Sequence, residues 1–182
     1  MSGYSRDLPP SGGFFPPGQN GQYMEPPPQY QQKPKFEWVH ATDGSVPPNA
    51  VQGGIEADGK PLFIARQYYQ GGLHPGKAAP HLKGLAIGYA GKEITLKEYY
   101  VLCGDARQLR WIECKGPVRT DSWKPIEGCE EKDGKPLYVA KVRTQGGEHL
   151  GKTGPHLKGG MNYSYGGKEK THKDTYYVLA YL

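Results

Sequence analysis

The chain has 182 residues and a formal net charge of +5, which leaves room for one domain of ordinary size and a tail. Its 27 glycines, 17 prolines and 14 tyrosines argue against a helical protein, because Gly and Pro disfavour helix interiors while Tyr suits a pleated, half-buried surface. Lysines alternate with acids instead of forming a stripe, and no run reaches the ~18 apolar residues of a membrane span, so neither nucleic-acid binding nor a spanning helix is expected.

Residues 1–35 are rich in Pro, Gly, Gln and Tyr. Such a segment has too little aliphatic surface to offset its ordering entropy, and a disordered tail is the expectation. Within it, Pro27-Pro28-Gln29-Tyr30 fits the PPxY pattern, in which a polyproline II turn docks in the aromatic groove of a WW domain. The alternative is a solubilising tail that contains the pattern by chance. The N-terminus lacks the apolar core of a signal peptide, so a cytoplasmic protein is expected, with export by a route that uses no signal peptide left open.

The folded part begins near Phe36. Phe36 to His40 reads as a strand, and Asp43-Gly44 with Pro47-Pro48-Asn49 breaks it. Pro61 to Tyr69 is the clearest strand, an apolar run after the Asp58-Gly59 turn signal. Gly71 to Gly88 reads as loop or short extended pieces. Ile94 to Leu102 is another strand, preceded by Gly91, which suits a hairpin turn requiring positive φ. Leu109 to Glu113, Leu137 to Val142 and Thr175 to Leu182 continue the pattern. No segment keeps a 3.6-residue apolar period long enough for a helix, and the domain is expected to be all-β.

The same motifs occur twice. Asp58-Gly59-Lys60-Pro61-Leu62 returns as Asp133-Gly134-Lys135-Pro136-Leu137, and Gly76-Lys77 to Gly84 returns as Gly151-Lys152 to Gly159. Gly91-Lys92-Glu93 matches Gly167-Lys168-Glu169, and Tyr99 to Leu102 matches Tyr176 to Leu179. This is a tandem duplication of two antiparallel β units, residues 36–105 and 106–182. Each unit is too small to bury much surface alone, so the two are expected to pack about a pseudo-two-fold axis. Trp38, Trp111, Phe63, Tyr138 and the tyrosine pairs are the core candidates. Homodimerisation is left open.

Four patterns are candidates for chemistry. Gly146 to Thr153 satisfies GxxxxGK[ST], but a P-loop needs a helix to follow, and Gly154-Pro155 does not start one. His74 and His81 are seven apart, as are His149 and His156. Zinc sites show tighter spacing or cysteine partners, so no metal and no cofactor are expected, and His81 and His156 are expected to bond loop backbone. Cys103, Cys114 and Cys129 have no CxxC spacing and read as reduced thiols. The remaining set is acid plus lysine: Glu56 or Glu131 before the Asp-Gly turn, Lys77 or Lys152 in the Gly-Lys stretch, and Glu93 or Glu169 after the later turn. A carboxylate accepts from adjacent sugar hydroxyls and an ammonium donates to sugar oxygens. Solvated turn charges would look the same. A glycoside hydrolase would need two carboxylates at set separations, Glu56 and Glu93 for example, but a complete catalytic site duplicated within one small domain would be unusual, and no enzyme is expected.

Trp38-Val39, Gly59 to Arg66, Pro75-Gly76-Lys77, His81-Leu82, Ala90 to Glu93 and Tyr99 to Leu102, with most of these repeated in the second half, resemble a tandem of DM-nine repeats. The resemblance covers about four-fifths of the chain, from about Phe36 to Leu182. It implies an all-β tandem like that of a mannose-specific oyster lectin in the family, which binds sugar without calcium. By that resemblance Glu56 and Lys77 would be carbohydrate-binding, and the repeat would carry the role to Glu131 and Lys152. Glu stands here where the lectin has Asp, and Leu150-Gly151-Lys152 lacks the proline of the first copy. The function so implied is calcium-independent binding of mannose-type glycans through two similar sites. The alternative is an adaptor whose β-domain binds a protein or membrane surface while the tail recruits WW-domain partners.

Overall fold

In a computed structural model, residues 35–182 can be described; Pro27, Pro28, Tyr30 and the tail expectation lie outside them. The first copy of the repeat forms β1 (Glu37–Thr42), β2 (Gln52–Glu56), β3 (Pro61–Tyr69), β4 (Gly72–Ala79), β5 (Gly84–Tyr89), β6 (Lys92–Leu96) and β7 (Glu98–Cys103). The second forms β8 (Leu109–Cys114), β9 (Cys129–Glu130), β10 (Pro136–Thr144), β11 (Gly147–Thr153), β12 (Met161–Tyr165), β13 (Lys168–His172) and β14 (Tyr176–Tyr181). Two single 3-10 turns, Pro80–Leu82 and Ala106–Gln108, are the helical elements among the described residues. The fold is all-β, as the composition requires.

Every pairing is antiparallel, and each in one repeat has its counterpart in the other. β7 lies between β1 and β3 as β14 lies between β8 and β10. Three pairings cross between repeats: Ile55 and Glu56 of β2 with Glu148 and Gly147 of β11, Glu130 of β9 with Leu73 of β4, and Lys92 of β6 with Lys168 of β13. The first two are each other's image about a pseudo-two-fold axis. With the hairpins they close the ring β2–β3–β4–β9–β10–β11, a six-stranded barrel to which each repeat gives three strands. Closure leaves no free edge in the ring. The third crossing lies on the axis: Glu93 N donates to Gly167 O and Glu169 N to Gly91 O, each at 3.1 Å. The β5–β6 turn there has positive φ at both Ala90 and Gly91, as a two-residue hairpin turn demands.

The core follows from the ring. Leu62, Ile64 and Leu102 of the first repeat pack with Val139, Leu150 and Leu179 of the second in one cluster, and two smaller clusters lie to either side. Each such side chain stabilises the fold by roughly 1.5–3 kcal/mol when fully buried, and both repeats contribute to the one cluster.

Some expected elements differ. Residues 71–88 contain two strands and not loop, despite Pro75. That proline sits where β4's second neighbours leave a gap: β9 pairs at Leu73 and β5 only from Lys77 to Ala79, so no ladder bond is lost. The strand expected from Ile94 to Leu102 is broken at Lys97 into β6 and β7. The tyrosine pairs split by the two-residue period of a strand. Tyr99 and Tyr176 are fully buried, donating to Ser45 O and Gly116 O, while Tyr100 is 38% exposed. Trp38 and Trp111 are half-buried at the rim of the core, each under a cation (Arg66 and Lys141). Phe63 and Tyr138 are likewise peripheral. The three cysteines are free thiols, and burial pushes Cys129 up to about 12.

Candidate functional site

The Gly-Lys step is written twice because β4 and β11 run very close to the next strand. A Cβ on Gly76 would overlap the Ala86 carbonyl, and one on Gly151 the Asn162 carbonyl. The lysine that follows is buried in both copies, 2% exposed at Lys77 and 5% at Lys152. An ammonium so placed needs acceptors, and it finds them in the other repeat. Lys77 Nζ donates to Ser164 O at 2.7 Å and to His149 Nδ1 at 3.1 Å. Lys152 Nζ donates to Gly88 O at 2.8 Å and to His74 Nδ1 at 3.2 Å, with Glu169 Oε2 at 3.6 Å. The rings of Tyr165 and Tyr89 stand 5.6 and 5.7 Å from the respective ammonium groups.

The histidines must be neutral to accept from lysine. His149 Nε2 lies 2.7 Å from Gly146 O, which can only accept, so the proton sits on Nε2 and the Nδ1 lone pair faces Lys77. Burial, then the charge of Lys152, pulls His74 down to about 4. Burial and the Lys77 charge lower His149 in the same way. Burial also lowers Lys77, against the pull of the Glu93 and Glu56 carboxylates.

Glu56 ends β2 and Glu131 directly follows β9, each at a tight turn. Glu56 N donates to Lys60 O and its carbonyl accepts from Gly59 N, and Glu131 repeats this with Lys135 and Gly134. Each carboxylate is oriented by a histidine from the following stretch of its own repeat: Glu56 Oε1 lies 3.0 Å from His81 Nε2, and Glu131 Oε1 lies 3.2 Å from His156 Nε2. His81 and His156 therefore bond a carboxylate and not the loop backbone that was expected. The β2–β11 register sets Glu56 opposite Gly147, two residues from His149. Glu93 and Glu169 hold the axis, accepting through Oε1 from Gly167 N at 3.3 Å and Gly91 N at 3.4 Å.

Each site is thus composite: Glu56, Lys77 and His81 from the first repeat with His149 and Tyr165 from the second, and Glu131, Lys152 and His156 with His74 and Tyr89. The role of His74 and His149 was missed. Their signal was the duplicated seven-residue spacing, which reflects two separate jobs, one partner for lysine and one for glutamate. Among the described residues no three His, Cys, Asp or Glu side chains gather as a metal site. The GxxxxGK[ST] match is strand β11, whose lysine is occupied by His74 and Gly88, so no phosphate cradle exists there.

The crystal structure of the nematode sperm cell motility protein MFP2B shares the fold, with a TM-score of 0.58 at 17% identity. The match covers 94% of this chain and 54% of that one, so the chain spans about half the length of that protein. No curated protein matches the chain. The DM9 repeat model matches residues 28–96 and 68–172, ranges that include Glu56, Lys77, Glu131 and Lys152 together with their histidines, and the chain belongs to the DM9 repeat family.

Proposed function

We propose that the protein is a calcium-independent lectin with two similar sites, Glu56–Lys77 and Glu131–Lys152, for mannose-type glycans. The observation that carries this reading is the duplicated carboxylate with one oxygen held by a histidine, beside an ammonium with two of its three N–H groups already committed. The second carboxylate oxygen of Glu56 and of Glu131 has no protein partner among the described residues and can accept from neighbouring sugar hydroxyls. The third N–H of Lys77 is a donor of fixed direction, and that of Lys152 is shared with Glu169 Oε2, 3.6 Å away. Preorganised charges of this kind bind a neutral polyol without the ordering cost of a flexible side chain. The ammonium supplies the positive charge that a calcium ion would otherwise bring, so chelators should have no effect.

Mannan binding by the full-length protein tests this. Glu56→Gln with Glu131→Gln keeps the shape and removes the charged acceptor; a lost bond to a charged group is worth ~1.5–3 kcal/mol, or one to two decades of affinity per site. Either single change should leave one site working, and mannan binding should then fall further than binding to free mannose, because avidity is lost. A folded double variant that binds mannan like the parent overturns the assignment.

A further inference from the structure

The duplication provides an internal comparison at the outer face of β3 and β10. In the second repeat this face is closed by charge. Glu148 bridges Lys141 at 3.2 Å and Arg143 at 2.6 Å, Lys141 stands 4.4 Å over Trp111, and Arg143 lies 4.7 Å over Tyr177. In the first repeat the same positions hold Leu73 for Glu148, Arg66 for Lys141, Tyr68 for Arg143 and Tyr100 for Tyr177. No acid replaces Glu148, and a cavity of about 270 Å³ opens, lined by Trp38, Arg66, Gln67, Tyr68, Leu73 and Tyr100. Tyr68 is 63% exposed and Tyr100 38% exposed at its mouth.

Arg66 is built into this cavity. Its guanidinium lies 4.2 Å over Trp38 and donates through Nη1 to Gly128 O. Gly128 has φ +110°, and a Cβ there would sit 2.5 Å from Nη1, so glycine leaves the room the guanidinium occupies. The titratable groups beside Arg66 are the Cys129 thiol and the Tyr68 and Tyr100 phenols, with no carboxylate among them. A half-buried guanidinium left without an acid favours an incoming carboxylate, which its fork binds in bidentate fashion.

We propose that this cavity is a third ligand site, confined to the first repeat, which takes an acidic sugar unit of the hexuronate class. The carboxylate meets Arg66, and the apolar C–H face of the ring lies against the tyrosines. The cavity has room for about one ring. β3 is paired on both sides, by β2 and β7 on one and β4 on the other, so no strand edge is open for an extended peptide. The site is independent of Lys77 and Lys152.

The test is a titration of the full-length protein with sodium glucuronate, glucose and sodium acetate, read at the Trp38 indole N–H by NMR. Glucuronate should bind at least tenfold tighter than either control. Leu73→Glu with Tyr68→Arg rebuilds the closed face of the second repeat and should abolish glucuronate binding. Tyr100→Ala, a change on the surface, should weaken it several-fold should the double variant fail to fold. Mannan binding should be unchanged in both, so failure of this site and failure of the lysine sites are distinguishable. Equal response to acetate means carboxylate binding without a sugar site, and equal response to glucose means no role for Arg66. Either result, or a folded double variant that binds like the parent, overturns the proposal.

Discussion

Acid should loosen this protein well above the pH at which its carboxylates protonate. In the unfolded chain His74 takes up a proton near 6.5, whereas in the folded protein burial and the Lys152 ammonium hold it down to about 4. Between those values the unfolded state binds the extra proton, so stability is full above 6.5 and falls as the pH drops toward 4. The gap between 6.5 and about 4 corresponds to roughly 3 kcal/mol, of which about 2.5 kcal/mol should be lost by pH 4.5. His149, lowered for the same reasons, adds in the same direction. Urea denaturation at pH 7.0, 6.0, 5.0 and 4.5 reads this directly: at a slope of ~2 kcal/mol/M the midpoint should fall by at least about 1 M. Glutamine keeps an acceptor for lysine but does not titrate. His74→Gln with His149→Gln should therefore flatten the curve between pH 6.5 and 4.5, whatever it does to stability at pH 7. A parent midpoint that moves by less than 0.2 M over that range, or a double variant with the parent's slope, would refute the neutral-histidine reasoning.

Two further outcomes follow from the packing. Gly76→Ala or Gly151→Ala forces a methyl into the carbonyl of the adjacent strand, and overpacking of this kind costs about 1–3 kcal/mol or more; a melting temperature within 1 °C of the parent would show that the strands separate freely. Residues 35–105 alone should stay unfolded, with poor amide dispersion in NMR spectra, because β2 and β4 lose β11 and β9 and the central cluster loses four of its nine buried members; a dispersed spectrum from a monomeric fragment would refute the shared core.

The all-β class, the duplication and most strand positions were legible in the sequence. Pro61 to Tyr69 shows its strand through an apolar run after an Asp-Gly turn, and that information is local. The Gly-Lys-Glu hairpin was equally legible, because only certain residues tolerate positive φ. The strand with Pro75 was not. Whether a proline breaks a strand depends on which neighbour needs its missing N–H, and here the answer lies 55 residues away, at Glu130.

The candidate site divides in the same way. Glu56, Lys77, Glu131 and Lys152 stood out because the chain repeats them, but repetition says only that two copies have the same need. It does not say whose side chain meets whose. Glu56 turned out to be held by His81 of its own repeat, and Lys77 by His149 and Ser164 of the other. The sequence by itself determined the units and their symmetry, since turn chemistry and two-residue periodicity act between neighbours in the chain. Only the tertiary structure decided that the units interlock: β2 pairs with β11 and β9 with β4, which carries each buried ammonium to acceptors more than 60 residues away, and an ammonium out of water accepts whichever lone pairs the closed ring brings to it.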